Sequence, residues 1–138
     1  MTYSGDISVE ETWRRLGDET SAVLVDVRTA AEWNFVGAPD LSGMGKQAVR
    51  VSWQTLPKME KNPTFLEQVR AQVTDTNASL LFLCRSGARS QAAAIAMTAA
   101  GYSKCFNVAG GFEGDLDGDR HRGVTGGWKA AGLPWIQA

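Results

Sequence analysis

The residues best suited to chemistry lie in one short segment, Cys84-Arg85-Ser86-Gly87-Ala88-Arg89-Ser90, directly after the apolar run Ser79-Leu80-Leu81-Phe82-Leu83. A cysteine at the end of a buried strand, followed by a turn and a helix start, stands where parallel α/β sheets place their ligands. Successive backbone N–H groups from Arg85 to Ser90 can curl inward as a nest for an anion. The helix that follows adds the positive end of its dipole at the same point. Gly87 gives the backbone the freedom to turn this tightly. Such surroundings stabilise a thiolate without any histidine and make Cys84 a nucleophile. Arg85 and Arg89 add two fixed positive charges, suited to an oxyanion-bearing substrate. A free cysteine is often only a small buried hydrophobe; here the strand, turn, arginines and helix together favour function.

Composition removes several other chemistries. The chain has two cysteines, Cys84 and Cys105, and one histidine, His121. There is no CxxC pair and no zinc-type spacing, and a catalytic triad would have to rest on His121 alone. No metal and no cofactor are expected, and both thiols are expected to be free in a cytoplasmic setting. A net charge of −1 gives no broad nucleic-acid footprint and no polybasic membrane patch. No apolar stretch is long enough to span a bilayer, and the N-terminal residues do not follow a secretory pattern.

The elements that must position Cys84 are legible from their patterns. In 138 residues, 43% hydrophobic and 21% charged, there is room for one domain with a real core. It is expected over 1–138, with its core at about 5–136. Ile7 begins a short strand, and Ser8 with Glu11 three residues on marks a helix start whose apolar stripe is Trp13 and Leu16. Ala22 to Val27 is a nearly continuous apolar run, interrupted by Asp26, of the kind buried on both faces of a parallel sheet. Ala30 to Phe35 reads as a short helix, and Val49 to Trp53 alternates like a half-buried strand. Pro63 opens a helix over Thr64 to Val73 with Phe65, Val69 and Val73 on one face. Ala88 to Ala100 is a second helix closed by Gly101, Lys104 to Val108 a further strand, and Gly126 to Pro134 a short helix with its cap. Strands alternating with helices give an α/β fold: a mostly parallel central sheet with helices on both faces.

The active segment, Cys-Arg-Ser-Gly-Ala-Arg-Ser, resembles the active-site loop of rhodanese-like domains. Val25-Asp26-Val27-Arg28-Thr29 with Glu32-Trp33 is similar to that family's Asp-Val-Arg segment and acidic-aromatic helix. Asn107-Val108-Ala109-Gly110-Gly111 resembles its strand ending in Gly-Gly, and Gly127-Trp128 with Ala131-Gly132-Leu133-Pro134 resembles its C-terminal signature. The resemblance implies a sulfurtransferase in which Cys84 takes sulfur from a small donor such as thiosulfate. The persulfide would be held by the loop from Arg85 to Ser90, and a thiol, cyanide or sulfur-acceptor protein would then remove the sulfur. In such a mechanism Arg85 orients the donor's oxyanion and Arg89 braces the loop through Asp26 or Glu32. Asp26 and Arg28 equally suit strand-end hydrogen bonds that fix loops, so Asp26, Arg28 and Glu32 enter as supporting candidates behind the loop.

Two segments depart from the family pattern. Where it carries a Gly-His-Ile, this chain has Asn34-Phe35-Val36-Gly37-Ala38-Pro39-Asp40, without histidine. Glu113 to Thr125 is a variant loop; Asp115-x-Asp117-Gly118-Asp119 resembles the start of a calcium loop, but its glycine is misplaced and Gly126 stands where the closing Glu belongs. A solvated loop with an exposed His121 is expected. Scattered tryptophans suit core or edge packing, and Cys105 suits an inert strand position. The same Cys-to-Arg loop also serves cysteine phosphatases and arsenate reductases. Four residues separate Cys84 from Arg89, one fewer than in the related phosphatases, and the smaller ring of N–H donors favours sulfur. A sulfur-carrier or regulatory rhodanese module is the other alternative.

Overall fold

Strands and helices alternate along residues 2–137, the part described by the computed structural model. In chain order they are β1 (Gly5–Ile7), α1 (Val9–Asp18), β2 (Val23–Asp26), α2 (Ala30–Phe35), β3 (Ala38–Pro39), a 3-10 turn (Ser42–Met44), β4 (Val49–Arg50), β5 (Gln54–Thr55), β6 (Glu60–Lys61), α3 (Phe65–Gln72), β7 (Ser79–Leu83), α4 (Ala88–Ala99), β8 (Lys104–Val108), α5 (Gly127–Ala130) and β9 (Trp135–Ile136). The central sheet has the order β1-β8-β7-β2-β4, and every pairing in it is parallel. β3–β9 and β5–β6 are two-residue antiparallel ribbons outside it.

β7 lies at the centre, and all five of its residues are buried. Because successive side chains point to opposite faces, Leu80, Phe82 and the following Cys84 join one core with Val69 of α3 and Ala93 and Met97 of α4. Leu81 and Leu83 join the other, with Leu16 of α1 and Trp128 of α5. That two-sided burial is why β2, up to Asp26, and β7 read as apolar runs rather than alternating ones.

Caps fix the helices that flank the site. The Ser8 hydroxyl accepts the Glu11 N–H at 3.0 Å to start α1. At the far end of α1, Lys46 Nζ donates to the carbonyls of Leu16, Glu19 and Ala22 at 2.7, 2.8 and 2.9 Å. Thr29 and Glu32 form a reciprocal capping box at the start of α2, which satisfies two otherwise orphaned donors. The expected strand over Val49 to Trp53 is shorter in the structure. Only Val49–Arg50 pairs as a strand, while Val51 and Trp53 N–H still reach the carbonyls of Asp26 and Val27. No helix among the described residues is long and apolar enough to cross a membrane.

Candidate active site

Cys84 leaves the carboxyl end of β7 with only 1% of its surface exposed. The chain turns at Gly87, whose φ of +129° favours glycine, and this carries the Gly87 N–H to 3.1 Å from Cys84 Sγ. No side chain caps α4. The N–H groups of Arg85, Ser86, Ala88, Arg89 and Ser90 have no acceptor among the described residues. A cavity of about 290 Å³ opens beside them, lined by Glu32, Gln54, Met59, Cys84, Arg85, Ser86, Ala88 and Arg89. A buried sulfur, a nest of open donors and a helix N-terminus thus meet one small void, an arrangement fitted to a single anionic atom on the sulfur.

The two arginines are in different situations. Arg89 grips Glu32 with both forks, Nη1 to Oε1 at 2.7 Å and Nη2 to Oε2 at 3.0 Å. Burial alone would raise the Glu32 carboxyl, but the hydrogen bonds and charge of Arg89 outweigh it and hold Glu32 below the usual carboxylate range. Burial likewise works against the Arg89 charge, and Glu32 more than compensates. Arg85 is exposed at the cavity and joins none of the ion pairs among the described residues. Of the two positive charges in the loop, one is already neutralised by Glu32.

Of the two acidic partners open to Arg89, the structure chooses Glu32. Asp26 is instead committed to Arg28, which donates Nε to Oδ1 at 2.9 Å and Nη2 to Oδ2 at 2.7 Å. Both side chains are 0% exposed, and neither lines the cavity. Arg28 Nη2 also donates to the Gly37 carbonyl at 2.9 Å, and the guanidinium stacks 4.3 Å from the Phe112 ring centre. This pair ties the end of β2 to the segment after α2 and to the turn after β8.

That turn was the least visible part of the site. A Cβ on Gly111, which has φ +61°, would stand 2.4 Å from the Cys84 carbonyl oxygen and 2.6 Å from the Arg85 carbonyl carbon. The close approach lets the N–H groups of Phe112 and Glu113 donate to the Cys84 and Arg85 carbonyls at 2.8 and 3.0 Å. Gln54 and Met59, from the β5–β6 ribbon, were missed as cavity walls because two-residue strands carry no periodic signal. Asn107 was also missed: its Oδ1 accepts the Ser90 hydroxyl at 2.6 Å.

The remaining candidates lie away from this void. Cys105 sits opposite Leu80 on the neighbouring strand, roughly 13 Å along the sheet from Cys84 at the usual rise per residue. Burial pushes its thiol up from the ordinary range. In the variant loop Asp117 Oδ1 accepts the N–H groups of Asp119 and His121 at 2.9 and 2.8 Å, and His121 is exposed. Among the described residues no three His, Cys, Asp or Glu side chains gather as a metal site. The tryptophans divide between core and edge: Trp128 is buried with Trp13 against it at 5.8 Å, whereas Trp135 is 40% exposed.

Comparison with known proteins adds independent findings. The family model of the STR4 middle domain matches residues 4–138. The crystal structure of Rv0390 from M. tuberculosis superposes with a TM-score of 0.91 at 48% identity, covering 99% of both chains. An uncharacterized protein of Rickettsia conorii, RC0915, is 43% identical over 83% of each chain. Rhodanese-like domain-containing protein 4 of Arabidopsis thaliana, a chloroplastic protein, is 28% identical over 94% of this chain, which spans 25% of that protein.

Proposed function

The chain belongs to the rhodanese-like family of the sulfurtransferase superfamily, and we propose that it moves a sulfane sulfur from a thiosulfate-type donor through a persulfide on Cys84. The Cys84 thiolate attacks the outer sulfur of the donor; the new Sγ–S bond forms as the donor's S–S bond breaks and sulfite leaves. The terminal sulfur, now anionic, sits among the N–H groups from Arg85 to Ser90 at the start of α4. A thiophilic acceptor then bonds to that sulfur and the Cys84 thiolate is restored. Cyanide serves as acceptor in the assay; a thiol or a sulfur-acceptor protein is the physiological class.

The observation that carries this reading is the Cys84 sulfur at 3.1 Å from the Gly87 N–H, beside open loop donors and a cavity of about 290 Å³. Arg85 supports a preference for thiosulfate over 3-mercaptopyruvate, as the guanidinium at the cavity without an ion-pair partner among the described residues. Arg89 acts as a brace through Glu32, which keeps Glu32 ionised and α4 in place. Since the Arg89 fork is occupied, it is poorly placed to clamp a phosphoryl group, and sulfur transfer is preferred over phosphatase or arsenate reductase chemistry. Residues 1–138 form one rhodanese-like domain in this proposal, with 113–125 as a surface loop, working in the cytoplasm without metal or cofactor.

Intact mass after incubation with thiosulfate tests the reading directly. One added sulfur atom on the wild-type protein, lost on adding cyanide and absent in Cys84→Ala, is the expected result. No added sulfur, or transfer by Cys84→Ala at the wild-type rate, overturns it, as does turnover of p-nitrophenyl phosphate with none of thiosulfate.

A further inference from the structure

Behind the sulfur runs a chain of hydrogen bonds that the transfer mechanism does not use. Ser90 is fully buried, and its Oγ has three polar neighbours: Asn107 Oδ1 at 2.6 Å, Cys84 Sγ at 3.1 Å and the Gly87 carbonyl at 3.1 Å. A hydroxyl has one proton to give, so the three contacts compete for it. Asn107 Nδ2 donates to Asp6 Oδ1 at 2.9 Å, and the Tyr3 hydroxyl donates to the same oxygen at 3.0 Å. A carboxylate only accepts, so the amide of Asn107 must turn its NH2 toward Asp6 and its carbonyl toward Ser90. That carbonyl, the nearest of the three neighbours, takes the Ser90 proton. Lone pairs of Ser90 Oγ are then what faces the cysteine.

We infer that Asp6 and Asn107 are positioning residues for Cys84, orienting the Ser90 hydroxyl so that it accepts from the resting thiol rather than donating to the thiolate. While the sulfur carries its proton, the Cys84 S–H donates to Ser90 Oγ. Once the proton is lost, the sulfur needs donors, and Ser90 supplies one only by giving up its bond to Asn107. The loop N–H groups and α4 favour the anion while the Asp6–Asn107–Ser90 chain opposes it, which restrains an otherwise reactive cysteine. The charged groups on the cavity side, Arg85 and the Arg89–Glu32 pair, are untouched by this chain. The inference rests on Cys84 being the reacting thiol but not on the identity of the donor.

The rate of iodoacetamide alkylation at Cys84, mapped by mass spectrometry at neutral pH, reads the balance without any sulfur donor. Asn107→Leu and Asp6→Ala free the hydroxyl to donate to sulfur and should speed alkylation between about twofold and fivefold, the range of one modest hydrogen bond. Asp6→Asn removes the same charge but keeps an acceptor for Asn107, and should alkylate at the wild-type rate. In a Ser90→Ala background neither Asp6→Ala nor Asn107→Leu should change the rate. Asp6 is exposed, so its variants keep the test open even where Asn107→Leu fails to fold. A wild-type rate in Asp6→Ala overturns the inference. Equal acceleration by Asp6→Asn and Asp6→Ala, or acceleration that survives in Ser90→Ala, would assign the effect to through-space charge and overturn it too. Failure of the wild-type protein to take sulfur from thiosulfate, with these ratios intact, would count against the proposed function alone.

Discussion

Gly111→Ala should disable the loop from outside, although the residue touches no substrate. The added methyl would lie 2.4 Å from the Cys84 carbonyl oxygen and 2.6 Å from both the carbonyl carbon and oxygen of Arg85. All three are backbone atoms, so no side-chain rotation can relieve the clash. The φ of +61° at Gly111 adds about 1–2 kcal/mol for a residue with a Cβ. Retreat of the 111–114 turn would stretch the bonds from the Phe112 and Glu113 N–H groups to the Cys84 and Arg85 carbonyls, each worth about 1 kcal/mol. The sum, about 3 kcal/mol, corresponds to a fall in melting temperature of roughly 10 °C for a chain of this size. The Gly87 N–H would also shift relative to Cys84 Sγ, so sulfur loading from thiosulfate should drop at least about tenfold, which takes only about 1.4 kcal/mol at the transition state. Calorimetry and the cyanide-coupled assay at a temperature where the variant is folded measure the two effects. A folded Gly111→Ala protein with wild-type loading would refute the claim that this turn holds the loop in register.

Further expectations concern the charged partners. Glu32→Gln should lower stability by about 1–2 kcal/mol at neutral pH, a charge-assisted pair discounted for partial exposure. Because folding depresses the Glu32 carboxyl, that contribution is complete above the unfolded value near 4.3 and is lost as pH falls through the lower folded value. Melting curves of wild type and Glu32→Gln should therefore converge below about pH 4.3, and a constant gap down to strongly acidic pH would contradict the assignment. Arg85→Ala should raise KM for thiosulfate by about tenfold, one charge-assisted contact; an unaltered KM would remove Arg85 from donor binding. Arg28→Met should cost about 3–5 kcal/mol in urea unfolding, since it leaves Asp26 buried and unpaired, and the double variant Asp26→Leu with Arg28→Met should recover much of that loss. Cys105→Ser should load sulfur as the wild type does, as a thiol this far from Cys84 predicts.

What the sequence made legible is what short stretches of chain can encode. The apolar run Ser79–Leu83, the glycine at 87 and the Ala-rich stretch after it each carry their own signal, so strand, turn and helix around Cys84 follow from neighbours within a few residues. The short helix expected over Ala30 to Phe35 is α2, and in the structure a capping box of Thr29 and Glu32 starts it. A second consequence of that box, a carboxylate delivered to Arg89 across 57 positions, depends on β2 and β7 pairing side by side. That pairing was open to either Asp26 or Glu32 in the sequence, and it was decided by Arg28 folding back on Asp26.

The same distinction explains why the back of the site stayed hidden. Asp6 and Asn107 are separated by 101 positions, and they meet because β1 joins the sheet beside β8 with Asp6 opposite Asn107. Nothing in the three-residue strand Gly5–Ile7 announces that register, since a slip of one residue would leave an equally acceptable pattern but turn Asp6 to the other face. In the Gly110-Gly111 pair a strand end was visible, yet the demand for glycine at 111 arises from the Cys84 carbonyl 2.4 Å from where a Cβ would lie. The loop around Cys84 can be read from its own residues, because nest and helix dipole are local. Its restraint cannot, because the residues that orient Ser90 are supplied by the first strand of the chain and by the strand after α4, and only the order of the sheet brings them to the sulfur.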